Sequence, residues 1–146
     1  MRMFVTVIIT ITLLLVIPGC GNRTVSDSEK DEDPDGIEIV EWGHSILYTD
    51  DDIKSAIDTV ITYFETEFEN CTLTQISYLG DDLSDSFDEW AEQYQSDEAI
   101  VLYSSFETDS SGGDGSLTPN STYSNWQWVL IRNNGGAWEV ETYGYG

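Results

Sequence analysis

"TYSNWQWVLIRNNGGAWEVETYGYG", residues Thr122 to Gly146, reads as two strands joined by a tight turn. In Thr122–Arg132, Trp126, Trp128 and Leu130 fall on one face, and Tyr123, Val129 and Ile131 on the other. A period of two, rich in aromatic and β-branched residues, describes a strand. "NNGG", Asn133 to Gly136, supplies residues that accept the positive φ of a hairpin turn. The chain returns with Trp138 and Val140 inward and Glu139 and Glu141 outward. The C-terminal part of the sheet is therefore antiparallel.

Working outward, "EAIVLYSSF" (Glu98 to Phe106) is a further strand, separated from the hairpin by the polar loop Glu107 to Ser121. Before it, Leu83, Phe87, Trp90, Ala91 and Tyr94 recur at helical spacing, with acids and amides between them. "CTLTQISYL", Cys71 to Leu79, alternates as a strand, placing Leu73 opposite Ile76. A longer helix precedes it, with Ile53, Ala56, Ile57, Val60, Ile61, Phe64 and Phe68 forming one stripe. Thr49 or Asp50 caps its start, and Asp50 to Asp52 suit the positive end of its dipole. "IEIVEW", Ile37 to Trp42, is either a short strand or a staple onto the domain. The expected architecture is α+β. Two amphipathic helices pack on one face of a mainly antiparallel, curved four-stranded sheet.

The N-terminus is read separately. Met3 to Ile17 holds only apolar residues and threonines, after the single charge of Arg2. Its core, Phe4 to Ile17, is 14 residues, about 21 Å as a helix, against a hydrocarbon core of about 30 Å. A charged start, a short apolar run and a small-residue exit describe a secretory signal peptide. Pro18 disfavours helix at Ile17 and leaves Gly19-Cys20 extended. The exit Ile17-Pro18-Gly19-Cys20 resembles a bacterial lipobox, with Pro18 where Ala or Ser is commoner. That resemblance implies acylation of Cys20 and cleavage before it. Two acyl chains of the palmitate kind hold a protein stably on a membrane. An uncleaved anchor, or a cut elsewhere, is the alternative. The expected division is signal peptide 1–19, acidic flexible tether 20–45 and one α+β domain 46–146.

Within residues 46 to 146, "YFETEFENCTLTQISY" and "SSGGDGSLTPNSTYSNWQWVLIR" resemble small uncharacterised lipoproteins of Gram-positive bacteria. The resemblance implies a cone-shaped domain like cystatins and nuclear-transport-factor-2-like proteins. It carries no site residues, because that family's function is unassigned.

Charge bounds the partners. Cleavage before Cys20 removes Arg2 and no acid, leaving 28 Asp and Glu against 4 Lys and Arg, a formal charge of −24. Such a surface repels nucleic-acid phosphates, and nucleic acid is excluded as a partner. Cys20 and Cys71 are the only cysteines. With Cys20 acylated, Cys71 has no disulfide partner and reads as a small buried apolar residue. The only histidine, His44, is the sole base for a Cys71 nucleophile, and nothing in the spacing supports that pair. Asn22, Asn70 and Asn120 begin N-x-Ser/Thr triplets, read as turn chemistry in a bacterial chain.

The candidate chemistry is sparse. Asp109, Ser111, Asp114 and Ser116 in a glycine-rich loop offer hard oxygen ligands for calcium, yet the EF-hand pattern is absent. Trp126, Trp128 and Trp138 suit either a platform stacking a sugar or apolar ligand, or core packing under the helices. Tyr123 and Tyr143 are candidates for the mouth of a cone. Arg132 either pairs with a neighbouring acid or anchors an anionic ligand. Acid pairs four apart, Glu65/Glu69 and Asp85/Glu89, arise readily in so acidic a chain. No cofactor motif is present. The expectation is a lipid-anchored protein on the extracytoplasmic face of the cell membrane. It acts as a binding module for a polysaccharide, peptide or protein. The alternatives are a carboxylate-based hydrolase working in the cone and a purely structural surface protein.

Overall fold

The computed structural model describes residues 36–40 and 42–145. The expected signal peptide, the lipobox-like exit with Cys20 and the expected tether up to residue 35 lie outside the described residues. The elements run β1 (Glu38–Val40), α1 (Asp50–Glu67), β2 (Cys71–Ser77), a 3-10 turn (Asp81–Leu83), α2 (Ser84–Tyr94), β3 (Glu98–Thr108), β4 (Thr122–Arg132) and β5 (Glu139–Tyr145). The fold is α+β, with two helices and one five-stranded sheet in the order β1-β2-β3-β4-β5. β1 runs parallel to β2, and the other neighbours are antiparallel.

The sheet is thus mixed and five-stranded, where the sequence predicts four strands. The added strand is β1, short and set among acids. Its partner β2 lies beyond α1 in sequence, so its strand character comes from tertiary pairing and leaves little local signal. Ile37 is buried and Ile39 pairs with Ile76, so of the two readings of Ile37 to Trp42, short strand or staple, the strand is the one formed.

α1 starts at a capping box. Thr49 Oγ1 accepts from the Asp52 amide, and the Asp52 carboxylate accepts from the Thr49 amide. Of the predicted stripe, Ile53, Ala56, Ile57, Val60, Ile61 and Phe64 are buried, and Phe68, the residue that caps the helix end, is half-buried. The helix lies over the sheet face that carries Trp128. The rings of Tyr63, Phe64 and Phe68 sit 6.0, 6.3 and 5.5 Å from the Trp128 ring. Burying one such indole is worth about 4–6 kcal/mol as an upper bound.

Three register shifts decide which side chains share that face. A bulge between Leu73 and Gln75 makes Thr74 the extra residue, so Leu73 and Ile76 both enter the core. On β4 the register shifts opposite Ser104 and Phe106, where Asn125 has φ 56°. This brings Tyr123 round to the Trp126 face, where its ring stacks on Phe106 at 5.0 Å. Simple alternation places Tyr123 on the opposite face. The third shift lies between Val129 and Leu130 and aligns Tyr143 with Trp128.

The opposite face is not open at its centre. Ala99, Val101 and Val129 alternate with the residues facing Trp128 and are buried too. α2 packs against β3 and β4.

Candidate functional site

The aromatic residues converge where α1 ends. Phe68 leaves the helix with φ −103° and ψ 69°, and Asn70, at φ 56°, turns the chain into β2. The Phe68 ring meets Tyr143 at 5.3 Å and Trp126 at 6.3 Å, and Trp126 meets Tyr143 at 6.2 Å. Between these rings and the loop after β3 lies a cleft of about 160 Å³. Glu67, Glu69 and Asp114 also line it, with Cys71, Gly113 and Leu117.

The loop is folded against the helix end by backbone hydrogen bonds. The Asp109 amide donates to the Asn70 carbonyl, and the Asn120 amide to the Asp109 carbonyl. Thr108 Oγ1 donates to the Thr118 carbonyl. Gly112 and Gly113 have φ 73° and 68°. A Cβ on Gly112 would lie 2.3 Å from the Leu117 carbonyl oxygen, and one on Gly113 would lie 3.1 Å from Cys71 Sγ. Gly112 therefore requires glycine, and a side chain at Gly113 would need Cys71 to give way.

The carboxylates of this loop are turned to its own backbone. Asp109 Oδ1 accepts from the Ser111 amide and hydroxyl, and Asp114 Oδ1 accepts from the Ser116 amide. These bonds hold both acids below the usual carboxylate range. The calcium candidates Asp109, Ser111 and Asp114 thus form turns. Among the described residues, no group of three or more His, Cys, Asp or Glu side chains is placed to hold a metal ion. Burial and the charges of Asp109 and Asp114 push the Cys71 thiol up, which disfavours the thiolate that a nucleophile needs. Asp52 and Asp81 are also held below the ordinary carboxylate range by their hydrogen bonds, so none of these four displaced acids is poised as a proton donor near neutrality.

Of the aromatic candidates, Trp126 and Tyr123 come together, 5.8 Å apart. Trp126 lines the cleft, and its Nε1 is buried without a hydrogen-bond partner. Trp128 is 0% exposed, and its Nε1 donates to Ser104 Oγ. Trp138 is buried near the hairpin, donating to the Asp52 carbonyl. Neither Trp128 nor Trp138 offers a ring face to a ligand in this packing. Arg132 covers Trp138, with its guanidinium carbon 4.2 Å from the ring centroid. It also bridges Asp52 and Glu98, each at 2.6 Å. Its donors are directed to acids of the fold.

Sequence reading did not assemble Phe68, Cys71, Glu67 and Glu69 with Trp126. One signal was available. The last turn of α1 carries no basic residue, although the end of a helix favours cations. Glu65, Glu67 and Glu69 cluster there instead.

No protein-family model matches the chain, and no curated protein or solved structure matches it.

Proposed function

We propose that the chain is a lipid-anchored lipoprotein of the extracytoplasmic face of the cell membrane. Its α+β domain is a binding module, and its ligand site is the aromatic and carboxylate cleft at the end of α1. The leader, too short to span a bilayer, and the Ile17-Pro18-Gly19-Cys20 exit support the anchor. Among the described residues no helix is long and apolar enough to cross a membrane. The likeness to the cone-shaped cystatin-like and nuclear-transport-factor-2-like domains belongs to the same proposal.

One observation carries the binding reading. Part-exposed Trp126 and exposed Tyr143, 43% accessible, line one cleft with Glu67, Glu69 and Asp114, next to a loop whose Gly112 admits no side chain. Aromatic walls with a few convergent polar groups are the usual make-up of a ligand site.

The anchor is tested by fractionation. Wild-type protein is expected in the membrane fraction, with a mature N-terminus at acylated Cys20 by mass spectrometry. Cys20→Ala is expected to leave the membrane. Retention of that variant in the membrane fraction contradicts acylation.

A further inference from the structure

Resting on the cleft as the binding site, we infer that its ligand is an organic cation. The head group would be an ammonium or guanidinium, presented either by a small amine or by a basic peptide side chain.

Three independent sources of negative potential meet in the cleft. The first is the acidic residues Glu67 and Glu69 in its lining, with Asp114 on the loop beside them, its carboxylate held by the Ser116 amide. The second is the C-terminus of α1, which ends beside them at Glu67. Its last carbonyls have no partners further along the helix, and they carry the negative end of the dipole. The third is the aromatic set of Phe68, Trp126 and Tyr143, whose ring faces attract cations.

Nothing local balances this potential. The described residues contain two basic side chains of Lys or Arg type, Lys54 and Arg132. Lys54 pairs with Asp58, and Arg132 pairs with Asp52 and Glu98. Acids at a helix C-terminus are unfavourable where no cation answers them. A bound cation would remove that cost.

Size narrows the choice. A volume of about 160 Å³ holds roughly five water molecules at ~30 Å³ each. That admits a compact head group such as a quaternary ammonium or a guanidinium. The buried ring of Trp128 also rules out a two-indole stacking platform along β4.

The test uses the full chain in micelles of an uncharged polyoxyethylene detergent. The readouts are the Trp126 indole N–H resonance, assigned with Trp126→Phe, and the Tyr143 ring resonances. Choline, N-acetyl-arginine amide and N-acetyl-lysine amide are titrated beside 3,3-dimethylbutanol, the neutral isostere of choline, and a methyl glucoside. At least one cation is expected to shift both resonances saturably. The affinity should fall as salt rises, and the neutral isostere should bind at least about tenfold more weakly. Saturation by choline points to a free amine, and saturation by the amino-acid amides alone points to a peptide side chain. Glu67→Gln with Glu69→Gln, on an exposed helix end, is expected to weaken the cation about tenfold while leaving the fold intact. Equal binding of the neutral isostere, or an unchanged affinity in the double variant, overturns the cation assignment. Saturation by the glucoside but by no cation overturns it and keeps the cleft as a binding site. Resonances unmoved by all five compounds overturn both.

Discussion

At the scale of the residue, Arg132 and Asp52 are the informative pair. Arg132 is the only arginine of the domain, and the sequence left it between pairing and anchoring an anion. The fold resolves this, because α1 brings Asp52 across 80 positions of sequence to its Nη1. Hydrogen bonds from Thr49, then from Arg132, hold the Asp52 carboxyl at about 2, below its ordinary 3.8. A carboxylate with a depressed folded pKa contributes stability above its unfolded pKa and loses it as pH falls through the folded value. The expected loss runs from about pH 4 down to about pH 2. Discounted for solvent screening, it amounts to about 1–2 kcal/mol. Asp52→Asn is expected to lower the melting temperature at pH 7 and to flatten the acid limb between pH 4 and 2. Circular-dichroism melts across that range check this. An acid limb as steep as wild type would show that other carboxylates carry it. The tryptophans were legible only as a pair of alternatives. Periodicity shows that Trp126 and Trp128 share a face, but burial separates them, since α1 covers Trp128 and leaves Trp126 part-exposed at the cleft.

At the scale of the element, α1, β3, β4 and the hairpin were legible because their signals are local. Each has its own stripe, alternation, cap or turn. β1 was legible only as one of two alternatives. Tyr123 and Leu73 were misplaced because a bulge shifts the parity of every residue beyond it and has no composition of its own. The loop from Asp109 to Ser121 shows how an element can look disordered in sequence and still be specified. Its two buried glycines admit the close approach of Leu117 and Cys71. Gly112→Ala combines an unfavourable φ with a Cβ that meets the Leu117 carbonyl, at a cost of about 1–3 kcal/mol. Gly115→Ala, at φ 94° with open space around its Cβ, carries the strain without the clash. The expected outcome in Gly112→Ala is faster hydrogen exchange at the Leu117 and Asn120 amides, which donate within the loop. The β3–β4 amides should keep their protection. Gly115→Ala is expected to change less. Equal effects from the two variants would remove the close contact as the reason for glycine at 112.

At the scale of the whole molecule, the charge was legible from composition alone, while its convergence on one cleft required the tertiary fold. A formal charge of −23 on 146 residues strains the compact state through self-repulsion. The described residues hold only two side chains of Lys or Arg type, Lys54 and Arg132, too few to offset it. Screening should therefore stabilise the protein. Raising sodium chloride from about 0.01 M to about 0.15 M shortens the Debye length from ~30 Å, wider than a small domain's radius, to ~8 Å. The melting temperature is expected to rise by about 5 °C, on the order of 1 kcal/mol for a domain of this size. Most of the rise should come within that interval, because screening saturates once the Debye length falls below the spacing of the charges. A stabilisation that grew in proportion to salt up to about 1 M would instead reflect salt exclusion from the surface. The two are separated further by neutralising the exposed face of α2 with Asp85→Asn, Asp88→Asn, Glu89→Gln and Glu92→Gln. Relief of repulsion predicts a higher melting temperature in low salt and a smaller response to added salt. The Arg132 bridges oppose this trend only slightly, because the guanidinium is 11% exposed and poorly screened. If the fourfold variant melts lower than wild type in low salt, those acids act locally in the helix and the self-repulsion argument fails.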